Sequence, residues 1–598
     1  MLKEANVFYN SYYFYLIGIC LKLCFLVSTK LKNILNQIQI MKKQLIECVP
    51  NFSEGRDMSI IKQITDEIER VEGVLLLNVD PGKATNRTVV TFVGEPQAVV
   101  QAAFLAIKKA AEVIDLSQHK GEHPRMGATD VCPLIPIAHI TMEETAEWAK
   151  RLGQMVGDPL SIPVFLYEAA ASQPERKNLA TIRAGEYEGL AEKLKRPEWH
   201  PDFGNAVFNP KAGATVIGAR DFLVAYNINL NTTSVRRANS VAFDVREQGR
   251  VVTDEKGKTL LDDNGEPKRE AGMCKSVKGI GWFIEEYSIA QVSMNLTNIN
   301  ETPLHVAFEA CCQSAEKRGM RVTGSELVGL VPKRVLIEAG QYFLKKQKRS
   351  AGVSEDEIIK IAVKTMGLDE LTPFDPQKRV IEYLLENPNA APLSIMSLKK
   401  FANETASESP APGGGSIAAY IGSLGAALAT MVANLSSHKK GWDARWEDFS
   451  VWAEKGQALK DALLKKVDED TAAFNAIMEA MQMPKSNDSE KSARKIALQA
   501  ATKQAIEVPL STMSLAMESF VTIKAMAEIG NPNSVTDAGV GALCARAAVR
   551  GAYLNVKINA GGCDDKEYIN QIMTEAEAMI GQADIFEKEI LGIVDSKI

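Results

Sequence analysis

Residues 74–114, VLLLNVDPGKATNRTVVTFVGEPQAVVQAAFLAIKKAAEVI, place two apolar runs and one amphipathic segment in immediate succession. Residues 74–80 and 88–94 read as strands, because large aliphatic and β-branched side chains fill short runs bounded by Pro-Gly and Gly. Residues 95–114 carry Ala, Ile and Lys at helical spacing and predict a helix. The same grammar governs 41–222, where 45–49 (LIECV) opens as a strand and 163–167 (PVFLY) is a short buried one. It restarts at Phe222: strand 222–230 (FLVAYNINL), helix 234–247, strand 289–296, helix 302–318 and a short strand 321–323. Such alternation implies sheets covered by helices. The polar stretch 248–276, with Asn264-Gly265 as its turn signal, predicts an exposed hairpin insertion.

Beyond the Pro- and Asn-rich linker 386–393 (ENPNAAPL), composition shifts to Ala, Met and Leu, and 394–598 reads as all-helical. Within it, 416–435 (SIAAYIGSLGAALATMVANL) holds no charge and is long enough to cross a bilayer. Its Gly and Ala content favours the central helix of a bundle instead. The expected fold is multidomain α+β: two successive α/β sandwich-type subdomains, 41–222 and 223–385, then an all-α domain, 394–598.

A chain of 598 residues with 46% hydrophobic and 24% charged residues is an ordinary globular chain of several domains. Its net charge of −6 gives no global excess of positive charge for phosphates, which argues against a nucleic-acid partner. Nine cysteines without a C-x-x-C pair point to a reducing compartment, with the cytoplasm as the default location. Residues 1–40 are aromatic and apolar, then basic, and differ from everything after them. They read as upstream sequence taken into the chain from too early a start, a membrane anchor and a structured arm being the alternatives.

Two of six histidines share the stretch His119-Lys-Gly-Glu-His123-Pro-Arg125. The spacing H-x-x-E-H matches an inverted zinc-peptidase motif, but Gly121 and Pro124 oppose the continuous helix that motif needs. No third ligand is evident, and no metal is expected. The other readings are a loop histidine acting as general acid or base, with Arg125 attracting carboxylates, and a solvated loop without a role. Asp80 ends an apolar strand before Pro81-Gly82, as a turn residue or a ligand contact. Residues 202–213 (DFGNAVFNPKAG) form a loop suited to a flat ring, or to plain packing. Gly413, Gly414, Gly415 and Ser416 precede the uncharged helix, and a glycine run there permits close approach of backbone. Asp470 projects from the apolar stripe Leu463, Val467, Phe474, Met478 and Met481, where a carboxylate is costly and its pKa should rise. That is how a general acid/base is made. Asn555, Lys557 and Asn559 are candidate partners.

These stretches together resemble the formimidoyltransferase-cyclodeaminase family, bifunctional folate enzymes of histidine breakdown. The resemblance rests on ECVPNFSEGR (47–56), TNRTVVTFVG (85–94), HKGEHPRMGATDVCP (119–133), IRAGEYEGL (182–190), PDFG (201–204), FLVAYNINL and GSELVGLVP (324–332). The last third adds APGGGS (411–416), VDED (467–470) and GAYLNVKIN (551–559). It implies transfer of a formimidoyl group from N-formimidoyl-L-glutamate to N5 of tetrahydrofolate, then closure onto N10 with loss of ammonia to give 5,10-methenyltetrahydrofolate. By motif, His123 would be the catalytic acid/base of the transfer and Asp470 that of the closure. Asp80 would orient the imidazole or substrate. Gly204, Asn205, Ala206, Val207, Phe208, Asn209, Pro210, Lys211, Ala212 and Gly213 would lie against folate.

The family further implies a polyglutamylated tetrahydrofolate co-substrate, a homo-oligomer and a start at Met41. VDED stands where the family has VDAD, and the insertion at 248–276 is longer than in the animal form. Competing readings are a chain retaining one activity, a metal-dependent hydrolase through His119 and His123, and a folate-binding scaffold with a decayed site.

Overall fold

The computed structural model describes residues 44–598 apart from 84, 122–123 and 386–391. The extension 1–40, His123 and most of the linker 386–393 therefore lie outside the described residues. The chain divides into two compact units, one centred on the residues up to Ala225 and one on Tyr226–Met294, Asn300–Leu327 and Val331–Ile598.

The first unit contains, in order, β1 (Leu45–Cys48), β2 (Asn51–Phe52), α1 (Met58–Glu69), β3 (Val74–Gly82), β4 (Arg87–Gly94), α2 (Pro96–Val113) and β5 (Thr129–Ala138). It continues with α3 (Met142–Leu160), β6 (Val164–Glu168), α4 (Leu179–Arg183), α5 (Glu186–Lys193) and β7 (Thr215–Ala219). β1 and β2 follow one another around Val49-Pro50, where proline lacks a ladder donor. Both lie antiparallel between β4 and β5. β3 adds to β4 at one edge, and β5 pairs parallel with β7, which pairs with β6 at the other.

One face of this sheet buries Phe52, Val90, Phe92, Cys132 and Leu134 under α1–α3. On the opposite face, Phe165, Tyr167 and Val216 are covered by Ile182 and Leu190 of α4 and α5. Asp80 is not a turn residue. It lies within β3 opposite Val89, and the strand runs on to Gly82, because β4 offers ladder partners as far as Arg87.

The second unit opens with β8 (Val224–Leu230), α6 (Val235–Val245), β9 (Arg250–Val251), β10 (Arg269–Glu270), β11 (Val277–Ile284) and β12 (Ile289–Leu296). Next come α7 (Leu304–Glu316), β13 (Val322–Val328), α8 (Lys333–Lys346) and α9 (Glu355–Met366). Its sheet runs β11-β12-β8-β13. β13 outlasts the expected 321–323 because the Ser325 hydroxyl satisfies itself on Tyr226 Oη (2.9 Å) and the Met366 carbonyl (2.7 Å), so a polar residue can stay in the sheet. The insertion is an exposed hairpin as expected, with β9 antiparallel to β10 and Gly265 at φ +82° in its turn.

The rest of the unit is helical: α10 (Leu398–Thr405), α11 (Gly414–Ser437), α12 (Trp446–Gln482), α13 (Asp488–Ile529), α14 (Val535–Ala560) and α15 (Lys566–Asp595). The uncharged α11 packs against α12, α13 and α14. A Cβ added at Gly422 would stand 3.1 Å from Ala548, and one at Gly425 would stand 2.9 Å from the Gly541 carbonyl. Its small residues thus set the spacing of the bundle, and its apolar length serves burial between helices.

One part of the expected stripe on α12 is corrected. Leu463 and Val467 are buried, but Phe474, Met478 and Met481 are exposed by 38%, 41% and 49%. α11 begins level with Asp470, so the last three turns of α12 run past its end. There Ala473 and Ile477 face α13 through Ala505 and Val508, and the larger side chains are left uncovered.

The corner between α8 and α9 seats on the bundle. Ala351 N–H donates to Ser450 Oγ (3.0 Å) and Asn434 Nδ2 donates to the Gly352 carbonyl (2.8 Å). A Cβ at Gly352 would lie 2.3 Å from the Ala453 carbonyl carbon. Gly352→Ala should therefore cost about 1–3 kcal/mol by overpacking. A thermal melt that left the midpoint unchanged would refute this contact as a support of the fold.

Candidate functional site

Three separate stretches of the first unit meet at Asn86. Its Oδ1 accepts from Gly55 N–H (3.0 Å), its Nδ2 donates to the Lys120 carbonyl (3.1 Å), and its own carbonyl faces His119 Nε2 (2.8 Å). At φ +49° it occupies the left-handed region, which asparagine tolerates better than most residues. A Cβ at Gly121 would fall 2.3 Å from the Thr85 carbonyl, so glycine is required where the loop crosses the hairpin. Residues 119–121 thus cross the end of the β3–β4 hairpin. His123 itself falls outside the described residues.

His119 is consumed by structure. Its Nδ1 accepts from Arg125 Nε (3.1 Å) while Nε2 faces the Asn86 carbonyl, which assigns the Nε2–H tautomer and leaves no lone pair for a metal. Among the described residues, no three His, Cys, Asp or Glu side chains converge as metal ligands. Arg125 forms a fork with Glu188 (3.0 and 2.8 Å) and lies 3.7 Å from Glu186, so acidic side chains of α5 already occupy it. That pairing holds the Glu188 carboxyl below the usual carboxylate range.

The 204–213 loop runs directly beside the histidine loop. Ala128 N–H donates to the Ala212 carbonyl (2.9 Å), Ala214 N–H to the Met126 carbonyl (3.0 Å), and Tyr187 Oη to the Pro210 carbonyl (2.5 Å). Tyr187 also touches Phe208, with ring centroids 5.4 Å apart. Gly204 and Gly213 adopt φ of +78° and +65°, and a Cβ on the latter would meet the Met126 carbonyl at 2.1 Å. Asn209 Oδ1 accepts from Lys211 and Ala212 N–H, which closes the turn between them. Ala212 and Gly213 are buried, whereas Asn205, Ala206, Val207, Pro210 and Lys211 present the exposed side of the loop.

Asp80, Val89, Asn51 and Val131 form a row across one sheet face by register. Asn51 in that row is buried and its Oδ1 lacks a hydrogen-bond partner. Nearby, Asp130 accepts from Met126 N–H (3.0 Å) and pairs with Arg183 (2.6 Å). Arg87 lies within electrostatic reach of both, its pKa brought down to about 10 by burial and held up in part by Asp130. Asn51, Arg87 and Arg183 were not singled out by the sequence. All three stand inside the matching motifs, but only the fold shows that they share a region.

The second centre lies in the bundle. Gly413 caps α11 without a side chain, and the missing acceptor comes from another helix. Asp470 Oδ2 accepts from Ser416 Oγ (3.0 Å), and the Ser416 N–H faces the same carboxylate. An added Cβ at Gly415 would lie 2.1 Å from Asp470 Oδ1. Asp470 thus approaches the helix N-terminus through a gap that only glycine leaves open. Burial raises its pKa above the ordinary value, opposed by the bonds from Ser416.

Its neighbours on α12 point elsewhere: Asp468 caps Leu393 N–H (2.6 Å) and Glu469 pairs with Lys466 (2.6 Å). Of the candidate partners, Asn555 is the one nearby, with Nδ2 3.4 Å from where a Gly414 Cβ would stand. Asn559 bonds the Ala505 carbonyl (2.7 Å), and Lys557 is exposed.

Two polar centres, one on an α/β sheet and one at a helix junction in a bundle, define a two-centre enzyme. Residues 45–220 match the family model for the formiminotransferase domain, N-terminal subdomain, and 225–386 that for the formiminotransferase domain. Residues 397–578 match the model described as formiminotransferase-cyclodeaminase. The chain is 42% identical over 556 residues to the formimidoyltransferase-cyclodeaminase of Gallus gallus, covering 93% of this chain and 99% of that one. It is 40% identical over 301 residues to a glutamate formimidoyltransferase of Streptococcus pyogenes, covering 50% of this chain and 93% of that one. It is also 38% identical over 202 residues to a methenyltetrahydrofolate cyclohydrolase of Methylorubrum extorquens, covering 34% of this chain and 97% of that one. The chain belongs to the formimidoyltransferase-cyclodeaminase family.

Two outcomes follow from the Asp470 geometry. Gly415→Ala should displace the carboxylate and lower the bundle's activity by about 10²-fold, while activity of the first centre stays within error; equal loss at both would refute a local effect. The raised pKa also has a stability cost. Its stabilising contribution is present below the unfolded carboxyl pKa, about 3.9, and is lost as pH rises through the folded value. Asp470→Asn should therefore melt at or above the parent temperature at pH 8, the gain vanishing near about pH 4. A variant less stable at pH 8 would overturn this.

Proposed function

We propose that the two centres act in sequence on one folate, the first transferring a formimidoyl group from N-formimidoyl-L-glutamate to N5 of tetrahydrofolate. The observation that carries this is the convergence of the His119–Gly127 loop and the 204–213 loop on one sheet region. His123, in the first loop, takes the N5 proton as nitrogen attacks the formimidoyl carbon. It then returns the proton to the glutamate nitrogen as that bond breaks. Asp80 orients the imidazole or substrate from the adjoining sheet face. The Arg87, Asp130 and Arg183 group carries a net positive charge suited to a dianionic glutamate. Arg125 serves the site by fixing the loop through His119 and Glu188 rather than by waiting for a ligand carboxylate.

The second centre closes the formimidoyl carbon onto N10. The formimidoyl group enters in its protonated, amidinium form; Asp470 accepts the N10 proton as the ring forms and gives it to the resulting NH2 nitrogen, which leaves as ammonia. The product is 5,10-methenyltetrahydrofolate. The three glycines 413–415 open the way to the carboxylate, and the uncovered Phe474 and Met478 just beyond Asp470 offer apolar surface for a flat ring.

A polyglutamylated folate is part of the same reading, as is a homo-oligomer, for which exposed Leu424, Leu435, Leu543 and Ile558 of the bundle provide surface. A cytoplasmic setting is supported by buried, unbonded thiols such as Cys48 and Cys132, 3.5 Å apart.

Substitution separates the steps. His123→Ala should reduce release of glutamate by at least about 10²-fold and leave cyclisation of supplied 5-formimidoyltetrahydrofolate intact; Asp470→Ala should do the reverse. Absorbance of methenyltetrahydrofolate and an ammonia assay read the second step. Loss of both steps from either variant, with the fold retained, would overturn the assignment of one residue to each centre.

A further inference from the structure

Ser416 is fully buried, and its hydroxyl stands between two acceptors: Asp470 Oδ2 at 3.0 Å and the Val467 carbonyl at 3.1 Å. A hydroxyl owns one hydrogen and can serve one of them at a time. The Val467 carbonyl lies inside α12, so it accepts this bond in addition to its helical one and loses nothing essential when the hydrogen turns away. Asp470 Oδ1 packs over the Gly415 backbone, while Oδ2 is the oxygen that Ser416 holds. The two oxygens are therefore inequivalent.

We propose that Ser416 is a positioning residue of the cyclisation centre, whose hydroxyl follows the proton of Asp470 by turning between Oδ2 and the Val467 carbonyl. The proposal rests on the reading of Asp470 as the acid/base of that step. When Asp470 is ionised, the hydroxyl donates to Oδ2, steadies the charge and keeps Oδ1 toward the substrate. N10 attacks the carbon of the formimidoyl group in its amidinium form, an N10–C bond forms as C=NH2+ becomes C–NH2, and the N10–H proton passes to Oδ1. The carboxyl is then neutral and Oδ2 a weaker acceptor, so the hydroxyl hydrogen turns to Val467. As Oδ1 gives its proton to the departing nitrogen, the C–N bond breaks, ammonia leaves and the hydroxyl returns to Oδ2. Every proton state leaves the buried hydroxyl bonded, which a fixed donor such as lysine would not allow.

The groups that face Asp470 support an isolated two-state carboxyl. From α11 they are Gly415 and Ser416, and from α14 Asn555 lies next to Gly414. On α12 itself Lys466 is paired with Glu469. No charged side chain contributes to the shift of Asp470, which comes from burial against the Ser416 bonds.

The test is the pH profile of cyclisation with 5-formimidoyltetrahydrofolate supplied directly, for the full chain and for Ser416→Ala and Ser416→Cys. Removing the donor should lower kcat by about 10–100-fold, the loss of one hydrogen bond to a charged group, with little change in KM. The acid limb of the profile should move to higher pH, because the ionised form loses its support. The cysteine variant keeps the shape with a weak donor and should show the same direction if the alanine variant does not fold. Folding is read from the helical circular dichroism signal and the thermal melt of the same full chain. A lowered rate with an unmoved acid limb in both variants would make Ser416 merely structural and overturn the proposal. Asp470→Asn run alongside separates the two ideas: full activity there would sink the reading of Asp470 itself, whereas an inactive Asp470→Asn beside an unmoved Ser416→Ala limb would sink only Ser416.

Discussion

The helical half is organised around a carboxylate brought against the first turn of a buried helix. α11 has no side-chain cap of its own, since Gly413 holds that position, and Asp470 of α12 reaches across to serve it. This one contact decides several things together. It demands Gly415, because any side chain would collide with Oδ1. It fixes where α11 starts along α12, and so which turns of α12 are covered. It also places a half-buried acid where the helix N-terminus favours its charge and burial opposes it. A group balanced between those two effects can change its proton state during a reaction, which a fully solvated or fully paired carboxylate does less readily.

The α/β half solves a similar problem with neutral groups. Asn86 joins two distant segments through one amide and one carbonyl, Gly55 on one side and the loop residues His119-Lys120 on the other. Such a loop carries no regular ladder, so its precision depends on a few side-chain bonds and on glycines at crossings, of which Gly121 and Gly213 are the tightest. Arg125 adds a charged tether from the loop to α5. The result is that His119, Lys120 and Gly121 are tied by polar bonds to the edge of the sheet.

Much of the fold was legible because its signals are local. Short runs of aliphatic and β-branched residues marked β4 and β12, helical spacing marked α2, and the charge-free run marked the core helix of the bundle. The burial of Asp470 was legible for the same reason: a carboxylate reached by steps of three and four between Val467 and Phe474 breaks the local pattern. What stayed hidden depends on contacts between distant residues. Asn86 looks like an ordinary turn residue until Gly55 and Lys120, more than thirty positions away on either side, are seen to bind it. Arg125 read as a ligand-binding cation because Glu188 lies sixty-three positions further on. The stripe on α12 failed beyond Val467 since periodicity tells which face a side chain takes but not where the covering helix ends.

That last failure is informative in itself. Phe474 and Met478 stand on the face that periodicity assigned to the interior, yet they are open because α11 stops at Asp470. A sequence under selection for stability alone would replace exposed Phe and Met by polar residues, since uncovered apolar area gains nothing in folding. Phe474 and Met478 stand next to a carboxylate that is itself costly to ionise. Uncovered apolar side chains stand elsewhere on the bundle too, at Leu424, Leu543 and Ile558, so what sets Phe474 and Met478 apart is their position one and two turns beyond a carboxylate that burial makes costly to ionise.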